Sequence, residues 1–221
     1  MKVINDKSGS QVESVGEYAI ATATNIAAGA VVSLSSNLVI AATNGLTTHI
    51  LGVAKETHTG AADALNIRAN GLKILVSDSP TAIYEQAAPQ ITATSGSNVL
   101  ITATGMAAFQ DNDFVGGKAK IISKATASAN TDPVGTVYDI SASDGTNKGL
   151  TIAASGAVTA DDVFAIFPPV GFDRAELGTG SQAIVLTATT NSMCVKVAGM
   201  DTDRNTVQIE AALHTFGNKK A

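Results

Sequence analysis

The chain has 221 residues, enough for one large β domain or two small ones. Charged residues make up only 15% of the chain and aromatic residues 4%, with no Trp, so the core must consist of aliphatic side chains and the surface mainly of Thr, Ser, Asn and Gln. The net charge is −5 and Lys and Arg form no cluster, which argues against nucleic-acid binding because phosphates are bound by basic groups.

Neither end of the chain nor its interior indicates a membrane role. No apolar run approaches the roughly 20 residues that span a bilayer. The first ten residues also lack the apolar stretch of a secretory signal. Cys194 is the single cysteine, which excludes an intramolecular disulfide and fits synthesis in a reducing bacterial cytoplasm.

Residues 1–17 contain several charges and few apolar side chains, namely Val3, Ile4, Val12 and Val15. Such a segment has too little apolar surface to bury itself against a core of its own. The sequence therefore predicts an extended N-terminal arm, and a frayed terminus is the alternative interpretation.

Short aliphatic runs bounded by Gly, Asn, Asp or Ser follow along the rest of the chain. Their spacing of about 8–12 residues is typical of β-sandwiches and β-barrels, and no stretch keeps a helical stripe for three turns. The clearest strand lies near the C-terminus, where Val207, Ile209, Ala211 and Leu213 occupy alternate positions. We therefore expect an all-β protein. Other predicted strands lie at 30–34, 65–68, 72–76 and 193–197.

A weak internal repeat relates two parts of the chain. A turn ending in Gly29 precedes a strand, and a later apolar strand contains Gly52. The same order recurs with Gly117 and Gly135. Glycine suits a turn with positive φ and also a bent strand that lies close to its neighbours. This pattern indicates either a degenerate copy of the first module at 105–170 or chance recurrence.

Prolines mark a boundary between the two parts. Pro80 and Pro89 lie nine residues apart, and neither has an N–H for a sheet ladder. The predicted organisation is an N-terminal arm at 1–17, a β-barrel module at 18–88 and a second β-barrel or β-sandwich region at 89–221.

No residue pattern indicates an enzyme, a cofactor or a metal site. The three histidines lack metal-ligand spacing, and a Cys194–His214 nucleophile and base is conceivable without local support. The acidic runs that begin at Asp111 and Asp201 resemble calcium loops, but each lacks the acidic twelfth ligand and so favours ordinary turns.

The segment 25–29, the strand at 31–34 and the strand reading ILGVA at 50–54 resemble tailed-phage head decoration, or cement, proteins. In that family a turn reading (I/V)-x-x-G-x-V-V opens a small, β-tulip-like barrel, and a strand reading (I/V)-L-G-V-A follows. The resemblance covers about residues 18–80 and, more weakly, residues 105–170.

The resemblance implies a virion protein on the capsid exterior. Its partner would be the major capsid protein, whose subunits it would bridge, and it would form a homo-oligomer, with a trimer favoured. In lambda-like members the N-terminal segment adds a strand to a capsid-protein sheet. The expected capsid contacts are therefore Val3, Ile4, Val12 and Val15.

Other functions stay open at this point. A tail tube protein is also β-rich, whereas a head fibre is disfavoured because long regular repeats are absent. An adhesive or carbohydrate-binding β-sandwich is a further alternative, although sugar sites usually use exposed aromatic side chains and the chain has only three Tyr and no Trp.

Overall fold

A computed structural model describes residues 2–6, 14–21, 24–42, 49–59, 73–79, 82–103, 110–173, 176–177, 184–185 and 195–211. These residues form strands and turns without a helix, which confirms the predicted all-β class. Accordingly, they include no helix that could cross a membrane. The strands are β1 (Lys2–Asp6), β2 (Val15–Ala19), β3 (Asn25–Ile26), β4 (Val31–Ser35), β5 (Leu38–Ala41), β6 (Ile50–Ala54), β7 (His58–Thr59), β8 (Lys73–Ser77), β9 (Ala82–Ala87), β10 (Gln90–Thr92), β11 (Ser95–Ser97), β12 (Leu100–Thr102), β13 (Lys118–Ser123), β14 (Val137–Asp139), β15 (Ala142–Asp144), β16 (Gly149–Thr151), β17 (Val163–Phe167), β18 (Glu176–Leu177), β19 (Ile184–Val185), β20 (Val195–Asp201) and β21 (Thr206–Ala211).

The first half of the chain forms a five-stranded antiparallel sheet in the order β2-β8-β6-β4-β5. One face buries a small aliphatic core that includes Val32, Ile74 and Val76. A single parallel bridge between Ile20 and Val39 joins the two edges of the sheet. No sheet of the described residues closes into a barrel, so the barrel stays a prediction.

A second sheet, in the order β1-β9-β21-β20, packs on the opposite face of the first. Tyr84 and Ile209 of this sheet lie in one core cluster with Val31 and Val53 of β4 and β6. Val207, Ile209 and Ala211 of β21 are buried as the alternation predicts, and Glu210 between the last two is buried as well. The next alternate position predicted for this strand, Leu213, lies outside the described residues.

The remaining strands form two further sheets, β10-β17-β13-β14 and β11-β12-β16-β15. Their buried side chains, such as Ile101, Leu150 and Phe164, belong to the same core cluster as Tyr84 and Val53. Apolar contacts are therefore continuous from the first sheet to the last. The short pair β18-β19 completes the described strands of this region.

The turn before β4 has a specific hydrogen-bond pattern. The Ala30 N–H donates to the Ala27 carbonyl across the turn at 3.0 Å, and Gly29 has a φ of +83°. The Gly29 N–H donates to the Ala54 carbonyl at 2.7 Å, and the Ala54 N–H donates to the Ala30 carbonyl at 2.9 Å. Glycine is favoured here because positive φ places a Cβ in steric conflict with the backbone.

The turn before β13 has the same pattern. The Gly117 N–H donates to the Phe114 carbonyl at 2.9 Å, and Gly116 has a φ of +84°. The Gly116 N–H donates to the Ile140 carbonyl at 3.1 Å, and the Ile140 N–H donates to the Gly117 carbonyl at 2.9 Å. Ile140 thus takes the place of Ala54, and Gly116 takes the place of Gly29.

Strand order extends this match. We call β2, β4, β6 and β8 the first module, and β12, β13, β14 and β16 the second module. The first module has the strand order β2-β8-β6-β4. In the second module β12 pairs with β16, as β2 pairs with β8, and β14 pairs with β13, as β6 pairs with β4. β16 pairs with β15, which continues β14 beyond Ile140 and Ser141. Tyr138, rather than Gly135, takes the place of Gly52, because Gly52 pairs with Val32 and Tyr138 with Ala119. Duplication itself stays a prediction.

The predicted domain boundaries fall at two features of the sheets. The predicted arm at 1–17 includes β1 and the first residues of β2, which lie in different sheets. The boundary at residue 88 follows β9, and β9 pairs with β21 from the region 89–221. The division into domains stays a prediction. The predicted strand at 65–68 lies outside the described residues, as does Cys194.

Candidate functional site

The N-terminal strand lies at the edge of its sheet. In β1, Lys2 pairs with Glu85 and Val3 with Tyr84, and the register shifts at Ile4. In the part of the chain that the structure describes, no strand pairs with the other side of β1. The structure therefore brings two of the four predicted contact residues, Val3 and Ile4, to an open sheet edge.

Of the other two predicted contact residues, one lies in a different sheet and one lies outside the described residues. Val15 begins β2, where it pairs with Ser77, and its exposed fraction is 46%. Val12 lies outside the described residues. Of the four predicted contact residues, the structure therefore places two in β1 and one in β2.

An ion pair and a hydrogen bond connect β9, the strand that pairs with β1, to residues at the start of β21. Glu85 of β9 accepts hydrogen bonds from Nη1 of Arg204 at 3.0 Å and from the hydroxyl of Thr206 at 2.9 Å. Nε of Arg204 also lies 3.3 Å from Asp201 Oδ2. Because Glu85 is mostly buried, with 14% of its side chain exposed, these contacts hold β9 and β21 in register beside β1. No local sequence pattern indicates this cluster, since Glu85 and Arg204 are 119 residues apart.

The start of β2 is anchored to β8. The Tyr18 hydroxyl donates to Asp78 Oδ2, and burial together with this hydrogen bond raises the pKa of Tyr18 well above its usual range. The Asp78 N–H donates to the Ser14 carbonyl at 3.1 Å. A Cβ at Gly16 would lie 2.5 Å from Asp78 Oδ2, so glycine leaves room for the carboxylate. The N-terminal segment therefore has a fixed end at Ser14.

The two aspartates that begin the calcium-loop-like runs accept hydrogen bonds from backbone N–H groups. Asp111 Oδ1 accepts from the Gly145 N–H at 3.0 Å, and Asp201 Oδ1 accepts from the N–H groups of Asp203 and Arg204, both at 3.0 Å. The hydrogen bonds to Asp201 are local and typical of Asp in a turn, whereas the hydrogen bond to Asp111 joins two turns that lie 34 residues apart. Within the described ranges, no group of three or more His, Cys, Asp or Glu could hold a metal ion.

Hydrogen bonds to Asp132 join two loops next to the second module. The Tyr138 hydroxyl donates to Asp132 Oδ2 at 2.7 Å, and the Ser155 N–H donates to the same oxygen at 2.8 Å. Hydrogen bonds from Ser155, and then from Tyr138, hold the pKa of Asp132 below its usual value. Burial is the main cause that raises the pKa of Tyr138 to about 12. Both pKa shifts agree with hydrogen bonds that connect the Asp132 loop to Ser155 and Tyr138.

His58 makes a structural contact, and one cavity among the described residues is too small for a ligand. His58 is buried, and its Nδ1 lies 2.6 Å from the Thr24 carbonyl oxygen, which ties β7 to the residue before β3. An apolar cavity between the two layers has room for about one water molecule, far less than a small-molecule site needs. Its lining includes Val31, Tyr84 and Ile209.

Comparisons with family models, with curated proteins and with solved structures gave no match to this chain.

Proposed function

We propose that this chain is a virion protein that binds the outer surface of an assembled tailed-phage capsid and stabilises it by bridging capsid subunits. The observation that carries the proposal is the place of β1 at a sheet edge whose outer side pairs with no other described strand. An extended segment of a partner can extend such an edge through backbone hydrogen bonds. The position of this strand at the N-terminus matches the segment that the resemblance assigns to capsid binding.

The turn and strand of the first module support the proposal. The segments that resemble the decoration family at 25–29 and 31–34 form the turn with Gly29 at positive φ and the beginning of β4. The ILGVA segment forms β6, directly beside β4. Both parts of the motif therefore lie together in one sheet.

The mechanism that we propose is multivalent. Each edge contact is small, and a strand of five residues forms only a few backbone hydrogen bonds. A homotrimer would repeat the contact by symmetry, so that modest interfaces with the major capsid protein add to a large effect. Low charge favours such contacts, because few charged groups must lose their hydration on binding.

Removal of the N-terminal strand tests this route. A variant without residues 2–13 keeps Ser14 and the Tyr18–Asp78 contact. The sheet that loses β1 keeps its three other strands, β9, β21 and β20. Under this proposal the same genome encodes a major capsid protein, and we expect cosedimentation with capsids assembled from that protein to fall by at least tenfold. The circular dichroism spectrum should keep its β character.

A variant without residues 212–221 is the matched control, because it shortens the other end of the chain beyond β21. It should bind capsids as the full chain does. Unchanged binding after loss of residues 2–13 would reject the N-terminal route. Purified virions that lack the protein would reject capsid decoration altogether.

A further inference from the structure

The matching strands of the two modules differ at one edge. In the first module, β8 covers the outer edge of β6: Val53 pairs with Ser77, and the Lys55 N–H donates to the Leu75 carbonyl at 2.9 Å. In the second module only the last of these contacts recurs, where the Ser141 N–H donates to the Thr151 carbonyl at 3.0 Å. β14 is therefore left at the end of its sheet.

The backbone groups of this edge point outward. The Thr136 carbonyl accepts from the Ile121 N–H at 3.0 Å, and the Ile140 N–H donates to the Gly117 carbonyl, so the even-numbered residues bond toward β13. Successive residues of a strand direct their backbone groups to opposite sides. The N–H and C=O groups of Val137 and Asp139 consequently point away from β13, where no strand of the described residues pairs with them.

Solvent reaches this edge. Val137 is 39% exposed, and Val134 in the preceding turn is 56% exposed. The Asp139 side chain is 83% exposed and lies 2.5 Å from Nζ of Lys118. The edge thus combines apolar side chains with one accessible carboxylate. The paired residues Lys118 and Asp139 correspond to the pair Val31 and Val53 of the first module, which are buried in one core cluster with Tyr84.

We propose that the outer edge of β14 is a strand-addition site for an extended segment of another protein. The first module indicates the geometry, because an antiparallel strand, β8, already occupies the matching edge there. The exposed carboxylate of Asp139 favours a segment with a basic side chain nearby. Pairing with the β14 edge of a second copy is disfavoured, because it would bring two exposed Asp139 carboxylates to the same short edge. Under the proposed function, on which this inference rests, the segment belongs to the capsid protein.

Proline at position 137 tests the site with little disturbance of the fold. Pro lacks an N–H, and the N–H of Val137 points away from β13, so V137P removes an outward donor and keeps the β13 ladder. The control is T92P, on the opposite edge of the same sheet. The Ala93 N–H donates to the Asp162 carbonyl, so the N–H of Thr92 also points outward.

Binding to the same capsids is measured by cosedimentation for the wild type, V137P and T92P, after thermal melts show that each variant is folded. We expect V137P to weaken binding by at least tenfold and T92P by less than twofold. Hydrogen exchange on the wild type supplies a second readout that needs no variant. Capsids should slow exchange in the peptide that holds Val137 and Asp139, and leave the peptide that holds Thr92 unchanged.

The outcomes separate this inference from the proposed function. Equal binding by all three proteins, or unchanged exchange at Val137, would overturn the strand-addition site and leave capsid binding in place. A wild type that does not bind capsids would overturn both. Self-association of the wild type that V137P abolishes would overturn the assignment to a second protein.

Discussion

The backbone of β6 lies so close to β8 that a Cβ atom at Gly52 would stand 1.8 Å from the carbonyl oxygen of Ser77. Contacts under about 3 Å force the backbone itself to move, and here the neighbour is backbone. The sequence already indicated this role, because glycine inside an apolar strand predicts a close approach between strands.

Gly52→Ala should therefore lower the free energy of unfolding by about 3 kcal/mol or more, in the upper range of single substitutions. Gly135→Ala is the control, since a Cβ there meets nothing within 4 Å and only the φ of +96° opposes it. Its cost should be roughly 1 kcal/mol. Urea denaturation measures both, and equal costs would contradict the close approach at Gly52.

The hydrogen bonds to the Asp132 carboxylate predict a loss of stability in acid. The pKa of Asp132 in the folded protein lies below the ordinary value of 3.8, because Ser155 and Tyr138 donate hydrogen bonds to the carboxylate. A depressed pKa stabilises the fold at pH values above the unfolded-state pKa, and that contribution is lost as the pH falls through the folded-state pKa. Thermal melts between pH 2 and 6 should show a smaller acid-induced drop for Asp132→Asn than for the wild type. Identical drops would contradict the assignment.

Tyr138 predicts the opposite dependence in alkali. Burial raises its pKa from 10.0 to about 12, so its contribution is complete below pH 10 and declines as the pH rises toward 12. Tyr138→Phe should flatten the decline of the melting temperature between pH 10 and 12. A decline as steep as that of the wild type would show that Tyr138 does not cause it.

At the scale of elements, the two turns before β4 and β13 make the same demand on their glycines. Gly29 and Gly116 have φ values of +83° and +84°, and each donates to the carbonyl at the end of the matching strand. Gly29→Ala and Gly116→Ala should each cost roughly 1 kcal/mol, and Asn should cost less at both places because it tolerates positive φ. Urea denaturation of the four variants measures this. Costs that differ by more than about twofold would contradict the equivalence of the turns.

Local elements were predictable from the sequence, and their partners were not. Alternation at Val207, Ile209 and Ala211 marked β21, and glycine marked the turn at Gly29, because both depend on residues within a few positions. The pairing of Val3 with Tyr84 depends on contacts about eighty residues apart, for which a single sequence gives no signal. Glu85 and Arg204 were missed for the same reason.

The open edge of β14 was also beyond the sequence. Val137, Tyr138 and Asp139 form only one period of alternation, which is too short to mark a strand. The predicted repeat even equated Gly52 with Gly135, whereas the pairing of β13 with β14 places Tyr138 there. Only the hydrogen bonds reveal which edge of the second module no described strand covers.

At the scale of the whole molecule, a shared core predicts cooperative unfolding. Val53 from the first module and Leu150 from the second belong to one cluster with Tyr84 and Ile209. We expect a single calorimetric transition whose calorimetric and van't Hoff enthalpies agree. Two resolved transitions would show instead that the predicted regions 18–88 and 89–221 unfold independently.

The proposed function concerns the whole molecule on a capsid, and one measurement tests it most directly. Electron cryomicroscopy of capsids incubated with the full chain, alongside capsids incubated with the variant that lacks residues 2–13, shows whether and where the chain binds. For the full chain we expect β-rich density on the outer capsid surface at three-fold positions, which match the symmetry of the proposed homotrimer. For the variant we expect bare capsids. Bare capsids in both samples would contradict the proposed function.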